Sequence, residues 1–178
     1  MENVFKQAMA STNEFKWEHL GNVKDGRGTL GEDMPVMVYR LMQFTLVDVL
    51  TKRFGAEISD EVIRDAGYLA GREFAFALLD LSVEMSVFIA QLQAVLEAHK
   101  IGILRMEVFD NATGSFTLTV SEDLDCSGLP ITNETVCNYD EGFIAGILFA
   151  YTGENYDVRE IDCWANGDRT CRFNGVVV

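Results

Sequence analysis

Glu160-Ile161-Asp162-Cys163-Trp164-Ala165-Asn166-Gly167-Asp168-Arg169-Thr170-Cys171 is the stretch on which the reading of this chain turns. Asn166-Gly167-Asp168 is a glycine-containing turn between two cysteines, so the stretch reads as the tip of a β-hairpin. Side chains alternate along a strand, and residues paired across a hairpin share a face. A two-residue Asn166-Gly167 turn would pair Cys163 with Thr170 and put Cys171 on the opposite face. A three-residue loop over Asn166 to Asp168 would pair Cys163 with Cys171. Glu160 stands three residues before Cys163, and it reaches the same face only if the strand is bulged or bent there.

A third thiol, Cys137, comes from upstream. Soft thiolates on a hairpin, joined by one from elsewhere, suit a closed tetrahedral zinc site. Two other readings stand beside it: a Cys163–Cys171 disulfide across the hairpin, and inert core thiols. Spacing alone leaves the choice open, because there is no paired Cys-x-x-Cys. Asp162 competes with Glu160 as the carboxylate, and Cys126 competes as a thiolate.

Working outward, two more strands flank the turn, about Tyr156–Trp164 and Thr170–Val177. Before them, Asn138 or Asp140 to Tyr151 predicts a helix that ends at Gly153 and carries Phe143, Ile144 and Ile147. Period-two alternation over Ile103–Phe109 and Phe116–Val120 predicts a hairpin turning at Asn111-Ala112-Thr113-Gly114. Further upstream the pattern is helical. Pro35 is placed as the first residue of a helix over Val36–Phe54 that ends at Gly55 and is apolar on most sides, so it is buried or pairs with another chain. Ser59 is read as the N-cap of a second helix to about Leu79. There, Gly67 and Gly71 are spaced to let another helix approach. Arg64 and Arg72 lie on roughly one face of it, read as solvated. A third helix covers Val83–His99. Helices first and strands later, with one helix inserted, is an α+β layout: N-terminal helices packed on an antiparallel sheet with a C-terminal metal-bearing hairpin. Residues 1–178 are read as one domain, with 1–34 as an N-terminal docking segment whose glycines suggest a turn or short hairpin.

The chain has 178 residues and 48% hydrophobic content, enough for a sizeable core. Its 14 Lys+Arg against 28 Asp+Glu give a formal charge of −14, which argues against nucleic acid or a membrane surface as partner. No stretch reads as a transmembrane helix, and Met1–Trp17 does not read as a signal peptide. A cytoplasmic protein with reduced cysteines is the expectation. No phosphate loop and no dinucleotide fingerprint is present.

The run Cys137-x4-Gly142-x3-Gly146, Gly153, Glu160-x2-Cys163-x3-Gly167-x3-Cys171-x-Phe173 resembles the 4-vinyl-reductase-type (V4R) small-molecule-binding domain. Trp17-x2-Leu20-Gly21, Arg27 with Gly31, Tyr39-Arg40-Leu41 and Ala66-Gly67-x2-Ala70-Gly71 are similar to its N-terminal half. That family is similar in fold to phenol-sensor input domains, to TRAPP-type trafficking subunits and to haem–NO-sensing domains. The resemblance implies zinc held by Cys137, Glu160, Cys163 and Cys171, with Cys126 outside the set. It also implies a ligand pocket between helices and sheet beside the metal, and a homodimer built through helices. Phe88, Phe116, Phe143 and Ile147 are the pocket residues it points to here; the plainer reading is that each fills the core. The phenol sensors hold the hydroxyl with His and Trp. His19, His99, Trp17 and Trp164 do not fall at those positions, and Phe116 stands near where a Trp would be. A more apolar ligand is therefore expected, and neither His sits in a haem-ligand context.

Three functions follow as expectations. The first is a zinc-stabilised, non-catalytic binding or sensor domain for a small hydrophobic or aromatic molecule, working through a protein partner. The second is an accessory or reductase component in tetrapyrrole vinyl-group metabolism, which would need a hydride source from elsewhere. The third is a structural interaction module like the trafficking subunits.

Overall fold

The computed structural model describes residues 15–110 and 112–178. They fall into two compact units, divided between Asp33 and Met34. In the first, a 3₁₀ turn over Trp17–Leu20 precedes one helical turn, α1 (Val23–Gly26), where Asn22 caps by accepting the Asp25 amide at 3.2 Å. The glycines here make turns, and there is no hairpin among the described residues of this unit.

The second unit opens with two helices, α2 (Val36–Phe54) and α3 (Ala56–Leu78). Pro35 is the residue before α2, with φ −62° and ψ 140°, and not its first helical residue. Gly55, at φ 89°, makes the whole connection in one residue. This corrects the placement of Ser59: its amide already bonds the Gly55 carbonyl at 3.1 Å, and it is buried inside α3. A left-handed glycine restarted the helix earlier than a serine cap would have. Helix α4 (Met85–Ala98) follows, then β1 (Ile103–Phe109) and β2 (Phe116–Ser121). Helix α5 (Asn138–Thr152) stops at Gly153 in the left-handed region, and β3 (Tyr156–Asp162) and β4 (Cys171–Val177) complete the chain. Asn111, part of the predicted β1–β2 turn, lies outside the described residues; Asp110 and Ser115 close that turn with an amide–carbonyl bond of 2.8 Å.

The four strands form one antiparallel sheet in the order β1-β2-β4-β3. Leu104, Leu118, Val120, Val158 and Phe173 are buried, while Arg172 ion-pairs with Glu107 and Asp162. Helices α4 and α5 pack on the sheet, α3 packs on α5, and α2 packs on α3. The α3–α5 crossing is made by four glycines. A Cβ at Gly67 or Gly71 would overlap the carbonyl oxygens of Tyr139 or Phe143, and one at Gly142 or Gly146 those of Arg64 or Tyr68. The two backbones touch, as the spacing of Gly67 and Gly71 predicts. Arg64 is not simply solvated: its Nε donates to Glu141 Oε2 at 2.8 Å across this crossing. Helix α2 differs from α3, α4 and α5, because none of its residues is fully buried.

Candidate functional site

Four segments converge at one end of the sheet, and each brings a cysteine. Cys126 lies in the loop after β2, where Asp123 Oδ1 accepts the amides of Asp125 and Cys126 at 2.8 and 3.0 Å. Cys137 is the residue before α5. Cys163 follows β3 and Cys171 opens β4. The β3–β4 register pairs Asp162 with Arg172, so its continuation sets Cys163 opposite Cys171, as an odd-length loop requires. The loop itself is a 3₁₀ turn over Trp164–Asn166 closed by Gly167 at φ 107°. The bulge needed beside Glu160 is present between Glu160 and Asp162.

All four thiols are free and buried, and their Sγ atoms lie within 4.8 Å of one another. Cys137 Sγ is 3.9 Å from both Cys163 Sγ and Cys171 Sγ. Ligands at ~2.3 Å from a tetrahedral zinc stand ~3.8 Å apart, so these separations suit that ion. Cys126 and Cys171 are closer, at 3.0 Å. Cys126, Cys137 and Cys171 favour the Cys163 thiolate, while Cys126, Cys163 and Cys171 push the Cys137 thiol up. Such a cluster cannot ionise throughout without a cation among its members, and a divalent soft metal is the group that its chemistry fits.

The structure therefore brings Cys137, Cys163 and Cys171 together as expected and adds Cys126, which the resemblance set aside. Glu160 stands beside them in a different role. Its Oε2 accepts the amides of Val136 and Cys137 at 3.2 and 3.1 Å, and its own amide donates to Glu141 Oε1 at 2.9 Å. Glu160 Oε1 is buried without a hydrogen-bond partner, and burial pushes the carboxyl up to about 8. Asp162 points elsewhere, to Arg172.

Next to the thiols, an apolar cavity of about 30 Å³ runs between α4, α5 and the sheet, with Leu92, Leu104, Leu118, Phe143 and Ile147 in its wall. That is room for one or two waters, so a larger guest requires the walls to part. Phe143 and Ile147 line it as predicted; Phe88 and Phe116 do not. Phe88 stacks on Tyr151 at 4.0 Å, and Phe116 lies across from Gly175, covering the space its missing side chain leaves. Asp123 and Asp140 close one end, and a carboxylate oxygen of each lies within 4.8 Å of the other and of Cys137 Sγ. Burial first, then Asp123, holds the Asp140 carboxyl well above the usual carboxylate range.

Helix α2 grips the loop that carries Cys126. Arg40 Nε donates to Leu124 O at 2.8 Å and its Nη2 to Ser127 O at 3.0 Å. Tyr39 and Gln43 donate to the two oxygens of Asp125 at 2.7 and 2.6 Å. Burial and Asp123 still push the Asp125 carboxyl up to about 6. Sequence reasoning missed Asp123, Asp125 and Asp140. A signal was available: Asp123 and Asp140 each stand three residues from a cysteine.

Residues 116–176 match the V4R domain. The V4R region holds β2, all four cysteines, α5 and β3, while the α4 and β1 side of the cavity and helix α2 lie before it. Three solved structures share the fold. The phenol-responsive sensory domain of the transcription activator PoxR, with phenol, gives a TM-score of 0.66 at 14% identity, over 81% of this chain and 75% of that one. A vinyl-4-reductase family protein from Methanocaldococcus jannaschii gives 0.60 at 15%, over 100% and 97%. Trafficking protein particle complex subunit 3 from Naegleria fowleri, covalently bound to palmitic acid, gives 0.63 at 12%, over 80% and 95%. Among the described residues no helix is long and apolar enough to cross a membrane.

Proposed function

We propose that this chain is a zinc-stabilised, non-catalytic domain that binds a small hydrophobic or aromatic molecule and signals, or delivers it, through a partner. One observation carries the reading: the apolar cavity ends at Asp123 and Asp140, which stand directly against the thiol cluster. The likeness to a sensory domain seen with phenol and to a subunit holding palmitic acid supports an apolar guest. Cys126, Cys137, Cys163 and Cys171 would hold the metal, with Glu160 fixing the backbone at Cys137 and standing as the alternative fourth ligand. Zinc closed by four protein groups has no open position for substrate, so it would cross-link the β2 loop, α5 and the β3–β4 turn.

The partner that fits best is a second copy of the chain, docked through α2. Met37, Leu41 and Met42 of α2 are 73%, 65% and 62% exposed. Apolar side chains of that number on one helix favour burial in an interface. A cytoplasmic setting belongs to the same reading, since it keeps the thiols reduced. Native mass spectrometry of thiol-protected protein, purified without chelator, tests all of this together. A dimer with one zinc per chain is expected, and added mass would give the ligand class. A metal-free chain with an intramolecular disulfide would overturn it.

A further inference from the structure

A cleft of about 490 Å³ opens where α2, the end of α4, the loop after β2 and the Trp164 turn meet. Arg40, Lys100 and Arg169 line it together with Glu122 and Asp123. Bases outnumber acids there by three to two, in a chain where acids outnumber bases by 28 to 14. Of the two carboxylates, Asp123 is buried, and its Oδ1 is taken by the Asp125 and Cys126 amides. Arg40 is fixed in the wall by the Leu124 and Ser127 carbonyls, and its Nη1 makes no hydrogen bond among the described residues. Arg169 is exposed, and its side chain makes no ion pair or hydrogen bond among the described residues. Trp164, whose indole Nε1 donates to Leu129 O at 3.0 Å, adds a fixed ring to the lining.

Backbone conformation marks the same place. Among the described residues, Lys100, Glu122 and Asn133 are the non-glycine residues with positive φ, and asparagine tolerates that region. The other two, at 60° and 52°, both line the cleft. Lys100 stands just past α4, where its amide bonds Glu97 O and the Ile101 amide bonds Leu96 O, each at 3.0 Å. In that pair of closing bonds glycine is the favoured residue, and a side chain costs stability. A lysine there needs another reason, and the cleft supplies one.

We propose that the cleft binds a small organic phosphate, its oxygens held by Arg40, Lys100 and Arg169 and its organic part lying against Trp164. This is a second site: none of the three cations lines the apolar cavity. A phosphate ester presents several acceptor oxygens and up to two charges, which cations from three separate segments can share; a single carboxylate has too few oxygens to engage all three well. The guanidinium groups stay charged at any working pH, so no group has to change protonation for the anion to bind. The net charge of −14 does not forbid it. At physiological salt, charges beyond about 8 Å are largely screened, and the nearest ones decide.

Phenyl phosphate, inorganic phosphate and benzoate, titrated calorimetrically into the thiol-protected full chain at physiological salt, test this. Phenyl phosphate is expected to bind at one site per chain and to exceed each of the others by about tenfold or more, the ratio a charge-assisted hydrogen bond gives. Arg169→Gln and Lys100→Gly should each lower its affinity by about tenfold, with metal content unchanged. Lys100→Gly should also melt at the temperature of the unaltered chain or higher, because glycine fits the left-handed position. A lysine held there for structure alone would give the opposite result, lower melting with unaltered binding, and would overturn its role. Absence of phenyl phosphate binding, or an affinity that both variants leave unchanged, overturns the site. Equal binding of benzoate overturns the phosphate class, and equal binding of inorganic phosphate overturns the organic one. None of these outcomes touches the hydrophobic-ligand reading, which concerns the cavity.

Discussion

Gly71 of α3 and Phe143 of α5 approach so closely that a Cβ on Gly71 would overlap the Phe143 carbonyl oxygen. Phe143 also lines the cavity, so a direct backbone contact between the two helices positions one of the cavity-facing side chains. Gly71→Ala must push the helices apart at a point where only backbone can give way. A loss of about 1–3 kcal/mol is expected from such overpacking, read by denaturant unfolding. Gly26→Ala, where nothing lies within 4 Å, serves as the control and should change stability by less than about 1 kcal/mol.

The cysteines separate two ligand sets. Cys126→Ser is expected to lower zinc content as strongly as Cys163→Ser, with a melting temperature that no longer responds to chelator. Glu160→Gln should keep its metal, because the amide oxygen still accepts the Val136 and Cys137 amides. Elemental analysis of the three variants checks this. Zinc retained by Cys126→Ser and lost by Glu160→Gln would put the carboxylate in the ligand set instead.

Arg40 links α2 to the thiol cluster through the carbonyls of Leu124 and Ser127. Arg40→Ala leaves those acceptors to the solvent or unpaired and frees the Cys126 loop. About 1–3 kcal/mol of stability should go with it. Zinc release to a competing chelator should also become faster, measured with a colorimetric acceptor. An unaltered release rate would mean that the loop is held without α2.

Leu41 is 65% exposed on α2. Leu41→Glu places a charge in the proposed interface and should convert a dimer to a monomer in analytical ultracentrifugation, with zinc content unchanged. A variant that stays dimeric would move the interface away from this face.

Much of this architecture could be read from residue patterns, and the exceptions have identifiable causes. Gly55 and Gly153 end helices where the sequence puts them, because a left-handed position leaves little choice of residue. The bulge at Glu160 could be deduced from the side-chain alternation of β3. Ser59 was misplaced because a good capping residue loses to a glycine that turns the chain four positions earlier. Phe88 and Phe116 were credited to the cavity because chain order does not say which aromatic has a nearer companion; Tyr151 and Gly175 claimed them. Cys126 was weighed as a rival thiolate and set aside by the resemblance, and Asp123, Asp125 and Asp140 went unread because the contacts of Asp125 with α2 and of Asp140 with Asp123 join segments far apart in the chain.

The glycine-lined crossing of α3 and α5 gives the cavity one fixed wall. With their main chains already in contact, α5 has no slack to yield on that side. The opposite wall, α4, contains no glycine, and its Gln93 reaches the sheet by side chain, donating to the Leu104 carbonyl at 3.2 Å. Under the proposed binding role, a guest that parts the walls would displace α4 and leave α5 in place.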